Sequence, residues 1–137
     1  MKLEYSLNQI QSIAKKILLD FPKHRVFLLK GNLGAGKTSL VKAFLESLGN
    51  SQEVSSPTYS LIQEYPGKTD KIYHIDLYRA RTEDEIFDLG IWEYFEGGNY
   101  LFIEWPEKLE PYIQDPYLEI KLEVLEAEMR SLETQEK

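Results

Sequence analysis

The sequence predicts an α/β fold: a single domain with a mixed parallel and antiparallel central sheet flanked by helices. Three observations carry that prediction. Helical and strand-like apolar patterns alternate in the first half of the chain, a glycine-rich loop stands between the first buried strand and the second helix, and several short strands follow in the second half. The 137 residues suit one domain with one core, and no repeat, low-complexity block or linker divides residues 1–137.

Each element follows from local chemistry. Ser6 and Gln9 form a capping box, and Leu7, Ile10, Ile13, Ile17 and Leu18 recur at helical spacing behind it, so a helix with one apolar face opens here. Pro22 stops it soon after Asp20. Arg25 to Lys30 encloses Val26-Phe27-Leu28-Leu29, too short for a helix, and reads as a buried strand. Gly31 to Gly36 is the glycine-rich loop. Lys37 to Leu48 reads as a second helix, with Leu40, Val41, Phe44, Leu45 and Leu48 turned inward and Gly49 as its cap.

Asn50 to Thr58 is polar and irregular, hence a loop. Tyr59 to Tyr65 and Lys71 to Leu77 read as two strands joined by a turn at Pro66, Gly67 and Lys68. Thr82 and Glu85 form a second capping box, opening a short helix that Gly90 ends. Ile91-Trp92-Glu93-Tyr94-Phe95 reads as core or a short buried helix, and Tyr100 to Glu104 as another apolar strand. Over Tyr117 to Leu125, Leu118, Ile120, Leu122 and Val124 alternate with Glu119, Lys121 and Glu123, which predicts a half-exposed, antiparallel strand. The charged tail over residues 126–137 is either one more strand or a frayed end.

Composition narrows the function. The formal net charge of −7 argues against the chain gripping a nucleic-acid backbone on its own. There is no cysteine, which excludes disulfides, thiolate zinc sites and cysteine catalysis. The start, MKLEYSLNQIQ, lacks the apolar core of a secretory signal, and the longest strongly apolar run, Val26 to Leu29, is far short of a membrane span. The expected location is the cytoplasm, with no membrane partner.

Gly31-Asn32-Leu33-Gly34-Ala35-Gly36-Lys37-Thr38 matches the phosphate-loop pattern GxxxxGK[ST], in the required place between a strand and a helix. Glycines allow backbone angles that a side chain forbids, so that successive N–H groups turn inward onto phosphate oxygens. The helix that follows adds the positive end of its dipole. Lys37 reaches the β- and γ-phosphates and the Thr38 hydroxyl ligates magnesium. The nucleotide-binding set is therefore Asn32, Leu33, Gly34, Ala35, Gly36, Lys37, Thr38 and Ser39, and the fold expected around it is that of the P-loop nucleoside triphosphatases.

Such a site needs an acid at the end of an apolar strand to hold the metal or its waters. Glu104 and Asp76 both qualify, and the pattern alone does not rank them. Ser55-Ser56-Pro57-Thr58 lies where a hydroxyl could sense a γ-phosphate, and a plain Ser/Pro turn would use the same residues. His74 reads as a packed strand residue. Arg79 could pair with Asp76, neutralise phosphate or lie on the surface.

Four motifs in order, GNLGAGKT (31–38), Ser56-Pro57-Thr58-Tyr59, His74-Ile75-Asp76-Leu77-Tyr78-Arg79 and Ile103-Glu104-Trp105-Pro106-Glu107, resemble the TsaE family of bacterial tRNA threonylcarbamoyladenosine modification. The resemblance implies that Thr38 and Glu104 hold Mg2+, that Asp76 serves hydrolysis, that Ser56 to Thr58 behaves as a switch, and that Trp105 contributes to nucleotide binding. It also implies TsaB and TsaD as partners, with tRNA met only through the complex and ATP turned over mainly within it. Asn32 stands where many relatives carry Asp, and the C-terminal segment is shorter than in some.

The expected activity is therefore Mg-dependent ATP hydrolysis, ATP giving way to ADP, in support of repeated threonylcarbamoyl transfer to tRNA adenosine. Lys37 and the metal offset charge on the γ-phosphoryl, Asp76 positions the attacking water, and Thr58 binds on the γ-phosphate side. ATP is preferred to GTP because the chain lacks Asn-Lys-x-Asp; the nearest string is Gly67-Lys68-Thr69-Asp70. Two other readings stand beside this one. One is a small P-loop kinase, disfavoured because Arg25, Arg79, Arg81 and Arg130 are the chain's only arginines. The other is a non-catalytic, nucleotide-gated docking module that uses the aromatic segment 91–95.

Overall fold

The computed structural model describes residues 1–54 and 61–137. In chain order it contains β1 (Lys2–Ser6), a 3₁₀ turn (Leu7–Gln9), α1 (Ile10–Asp20), β2 (Val26–Lys30), α2 (Lys37–Ser47), β3 (Ile62–Pro66), β4 (Lys71–Asp76), α3 (Glu83–Phe87), α4 (Ile91–Tyr94), β5 (Tyr100–Glu104), a second 3₁₀ turn (Glu110–Tyr112), β6 (Leu118–Glu126) and β7 (Met129–Glu136). The strands form one sheet in the order β1-β7-β6-β2-β5-β4-β3. Its centre, β6-β2-β5-β4, is parallel. Its margins are antiparallel: β3 on β4, β7 on β6 and β1 on β7. This is the mixed sheet the sequence predicts.

Strand alternation divides the core between the two faces. Phe27 and Leu29 of β2 pack with Ala14 and Ile17 of α1 and with Leu40, Val41 and Phe44 of α2. Val26 and Leu28 turn the other way, onto Ile86 of α3, Ile91 of α4 and Leu109. The α2 face is closed by an aromatic stack: Phe102 lies 4.9 Å from both Phe27 and Phe44, ring centre to ring centre. The first predicted capping box forms in full; at the second, Thr82 caps its helix but the Glu85 carboxylate accepts from the Arg81 N–H instead of closing the box. Gln9 Oε1 accepts from the Ser6 N–H at 2.9 Å, and Thr82 Oγ1 accepts from the Glu85 N–H at 3.2 Å.

The structure departs from the sequence reading, or decides what it left open, in four places. Lys2–Ser6 is a strand that the pattern did not announce, since Tyr5 is its one buried residue. The tail, left open between a strand and a frayed end, is a strand whose Arg130, Leu132 and Thr134 face inward, so its alternation is sound but mostly polar. β6 is not simply antiparallel. It runs parallel to β2, with Leu29 opposite Ile120, and antiparallel to β7 on its other side. In the segment 91–95, Ile91 is buried and Tyr94 packs edge-on against Tyr73, but Trp92 remains 38% exposed.

Nor is β6 half exposed along its length, because Glu119 is buried. Its carboxylate is enclosed by Lys137 Nζ at 2.7 Å, Lys30 Nζ at 3.0 Å and Lys121 Nζ at 3.4 Å. Burial pushes its pKa up, but hydrogen bonds from Lys137 and Lys30 outweigh burial and hold it at about 2. A depressed folded-state pKa stabilises the protein above the ordinary value of 4.5, and that contribution is lost as pH falls through about 2. Glu119→Gln therefore costs about 2 kcal/mol at neutral pH, after allowing for solvent around the lysine ends. Urea titrations of both proteins at descending pH check this: the gap closes on acidification, and equal midpoints at neutral pH contradict it.

Candidate nucleotide-binding site

The parallel strands β2, β5 and β4 end side by side, and open parallel sheets bind ligands outside the carboxyl ends of their strands. β2 runs into the loop 31–36, which runs into α2. Gly31 is required there by close packing: a Cβ on it would lie 2.8 Å from the Leu122 carbonyl oxygen and 3.1 Å from Ala35 Cβ. Gly36 sits at the helix N-cap with φ 101°, a left-handed angle that favours glycine. Within the loop the Ala35 N–H donates to the Asn32 carbonyl at 3.0 Å, and Leu40 N–H bonds back to Gly36 at 3.0 Å as the helix begins.

Lys37, on the first turn of α2, is buried at 5% exposure. Its ammonium donates to the Gly31 carbonyl at 2.5 Å and lies 3.4 Å from the centre of the Trp105 ring. Burial lowers its pKa, while Glu104, Glu107 and Asp76 act to raise it. Trp105 is held at φ 55°, a left-handed angle costly for a bulky residue, and stacks at a tilt on Tyr78, 4.9 Å away.

The two candidate acids come together. Glu104 ends β5, the strand beside β2, and Asp76 is its register partner at the end of β4. Alternation explains why both face α2: Ile72, His74 and Asp76 share one side of β4, as Phe102 and Glu104 share one side of β5. Glu104 is only 3% exposed. The Thr38 hydroxyl is 2.9 Å and 3.1 Å from its two oxygens, and His74 Nε2 is 2.5 Å from Oε2. Asp76 Oδ1 accepts from the Tyr78 N–H at 3.0 Å. Burial raises the Asp76 pKa, the Tyr78 N–H opposes that, and the Glu104 charge adds to it.

A cavity of about 310 Å³ gathers these groups, lined by Leu33, Gly34, Gly36, Lys37, Thr38, Ser39, Asp76, Glu104 and Trp105 among others. Asn32 and Ala35 line a different depression with Leu122, Glu123 and Val124 on the outer side of the loop, so of the expected binding set they alone lie outside the cavity. Thr58, with Ser55 and Ser56, lies outside the described residues. Three further lining residues escaped the sequence reading: Leu7, Tyr78 and Arg130. Arg130 reaches in from β7, its Nε donating to the Ala35 carbonyl at 3.2 Å and its Nη1 to the Ala127 carbonyl at 2.8 Å. Nothing local marks it in a charged tail; only the placement of β7 reveals it. His74, read as a packed strand residue, is packed and also bound to Glu104.

The donor set suits magnesium. A buried carboxylate and a hydroxyl stand within hydrogen-bond reach of each other, both hard oxygen ligands. Among the described residues no group of three or more His, Asp or Glu side chains could cage a metal.

Known proteins share this organisation. The family model described as "Threonylcarbamoyl adenosine biosynthesis protein TsaE" matches residues 5–132. A "tRNA threonylcarbamoyladenosine biosynthesis protein TsaE" from Bacillus subtilis (strain 168) is 42% identical over 112 residues, covering 82% of this chain and 70% of that protein. Its namesake from Rickettsia felis is 35% identical over 123 residues, covering 89% and 71%. The crystal structure of YdiB from Bacillus subtilis superposes with a TM-score of 0.76 at 30% identity, covering 99% of this chain and 85% of that one.

Proposed function

The chain belongs to the TsaE family, and from that premise we propose that it is a Mg-dependent ATPase whose turnover sustains repeated threonylcarbamoyl transfer to tRNA adenosine, in a complex with TsaB and TsaD. One observation carries the reading: Lys37, Thr38, Glu104 and Asp76 converge on one cavity where β2, β5 and β4 end. No helix among the described residues is long and apolar enough to cross a membrane, and the cytoplasm is the location this role requires.

The residues divide the work. The N–H groups of the loop and the first turn of α2 hold the phosphates, aided by the helix dipole of about half a charge. Lys37 places its ammonium against the β- and γ-phosphate oxygens, where charge builds during transfer. Bound magnesium would supply positive charge against the developing phosphoryl charge, and Thr38 and Glu104 would hold it. His74 fixes Glu104 in place through Oε2. Asp76 accepts a hydrogen bond from the attacking water and orients it. Trp105 and Tyr78 wall the cavity and shield it from solvent.

Phosphate release tests this directly. The purified chain with ATP and Mg2+, alone and with TsaB and TsaD, is expected to release inorganic phosphate without any acceptor, faster in the complex. Transfer to an added metabolite with little free phosphate would instead make the chain a kinase.

A further inference from the structure

The opposite face of the sheet carries a second feature that nucleotide chemistry does not use. α3, α4 and the Glu110–Tyr112 turn cover that face and gather four aromatic rings, of which Trp92 and Tyr112 are exposed and Phe87 and Phe95 rest on the core. Phe87 lies 5.1 Å from Tyr112 and 6.2 Å from Trp92, and Trp92 lies 5.2 Å from Phe95, ring centre to ring centre. Trp92 is 38% and Tyr112 43% exposed, and a groove of about 530 Å³ opens between them, floored by Phe95. Large exposed rings gathered in one groove mark a binding surface more often than rings scattered singly.

The rim is acidic. Glu96 and Asp115 line the groove, Glu93 is exposed beside Trp92, and Glu83 accepts a 2.7 Å hydrogen bond from the Tyr112 hydroxyl. Asp84, Glu85 and Asp88 add to the field, and the sequence from Thr82 to Glu107 contains no Lys or Arg. Aromatic faces with carboxylates around them attract cations twice, through the ring quadrupole and through Coulomb attraction. The same field repels a phosphate backbone, and it repels a second copy of this chain, whose rim and net charge of −7 are alike.

We propose that this groove docks a partner protein by a surface segment bearing arginine or lysine, the cationic side chain lying on Trp92 and Tyr112 within the Glu93, Glu96 and Asp115 rim. The inference stands apart from the nucleotide reading, since the groove shares no residue with the phosphate-loop cavity. It holds whether or not ATP is hydrolysed.

The chain has two tryptophans, one in each site, so their indole N–H signals report separately by NMR. A short peptide of alternating glycine and arginine is titrated into the full chain, beside the same peptide with arginine replaced by neutral citrulline. The Trp92 signal is expected to shift saturably with the arginine peptide while Trp105 stays still, with affinity falling about tenfold for citrulline. Glu96→Lys, an exposed rim change that leaves packing intact, weakens the arginine peptide by a similar factor. Equal binding of both peptides, an unaltered Glu96→Lys titration, or no saturable shift of Trp92 overturns the proposal. So does displacement by an RNA stem-loop of the same signal, or sedimentation showing self-association through the groove.

Discussion

Lys37→Ala is expected to weaken ATP binding at least about a hundredfold, because a charge-assisted hydrogen bond to phosphate is lost where no other side chain can replace it. Lys37 is the cation lining the cavity at the loop itself; Arg130, the other one there, is tied to the Ala35 and Ala127 carbonyls. Lys37→Arg is expected to fail almost as badly, since a planar guanidinium does not fit a ring of amides that holds a compact ammonium 2.5 Å from the Gly31 carbonyl. Calorimetry with Mg–ATP measures both. The fold survives the alanine change, because α2 is anchored by Leu40, Val41, Phe44 and Leu45, and circular dichroism verifies it. Wild-type affinity in Lys37→Ala removes the phosphate loop from the account.

Asp76→Ala separates binding from chemistry. Asp76 lines the cavity beside Glu104, and its carboxylate accepts a hydrogen bond from the Tyr78 N–H. Nucleotide affinity is expected to stay within about threefold of wild type. Turnover in the reconstituted complex is expected to fall by about a hundredfold to a thousandfold, the usual loss when a group that orients the nucleophile is removed. Single-turnover phosphate release against calorimetric affinity gives the split. Unchanged turnover would take the water-positioning role from Asp76, and a matching loss of affinity would make it part of the binding site instead.

What the sequence disclosed and what it withheld have physical reasons. The phosphate loop was legible because its glycines answer to backbone constraints that are local: close contact at Gly31 and a left-handed angle at Gly36. The ends of β4 and β5 were legible as acids after apolar runs. Their ranking was not, since it depends on which strand lies beside β2, and strand order is set by crossovers and not by pattern. The burial of Glu119 escaped for the same reason: three lysines, from β2, from β6 itself and from the residue after β7, converge on it, and no single segment shows that. The segment Ile91 to Phe95 forms the short helix expected, but Trp92 stays outward because one turn of helix can turn only part of its surface inward.

Among the described residues β1 pairs only with β7, and β7 in turn brings Arg130 to the Ala35 carbonyl of the phosphate loop, at the rim of the cavity. During synthesis on the ribosome, β1 is made before the other described strands yet cannot pair until β7 has followed it. The loop 31–36 acquires its arginine brace only once β7 has been made. Closure between strands so far apart in sequence is slow because its loop entropy is lost before any contact compensates it, so the braced loop should form late and all at once.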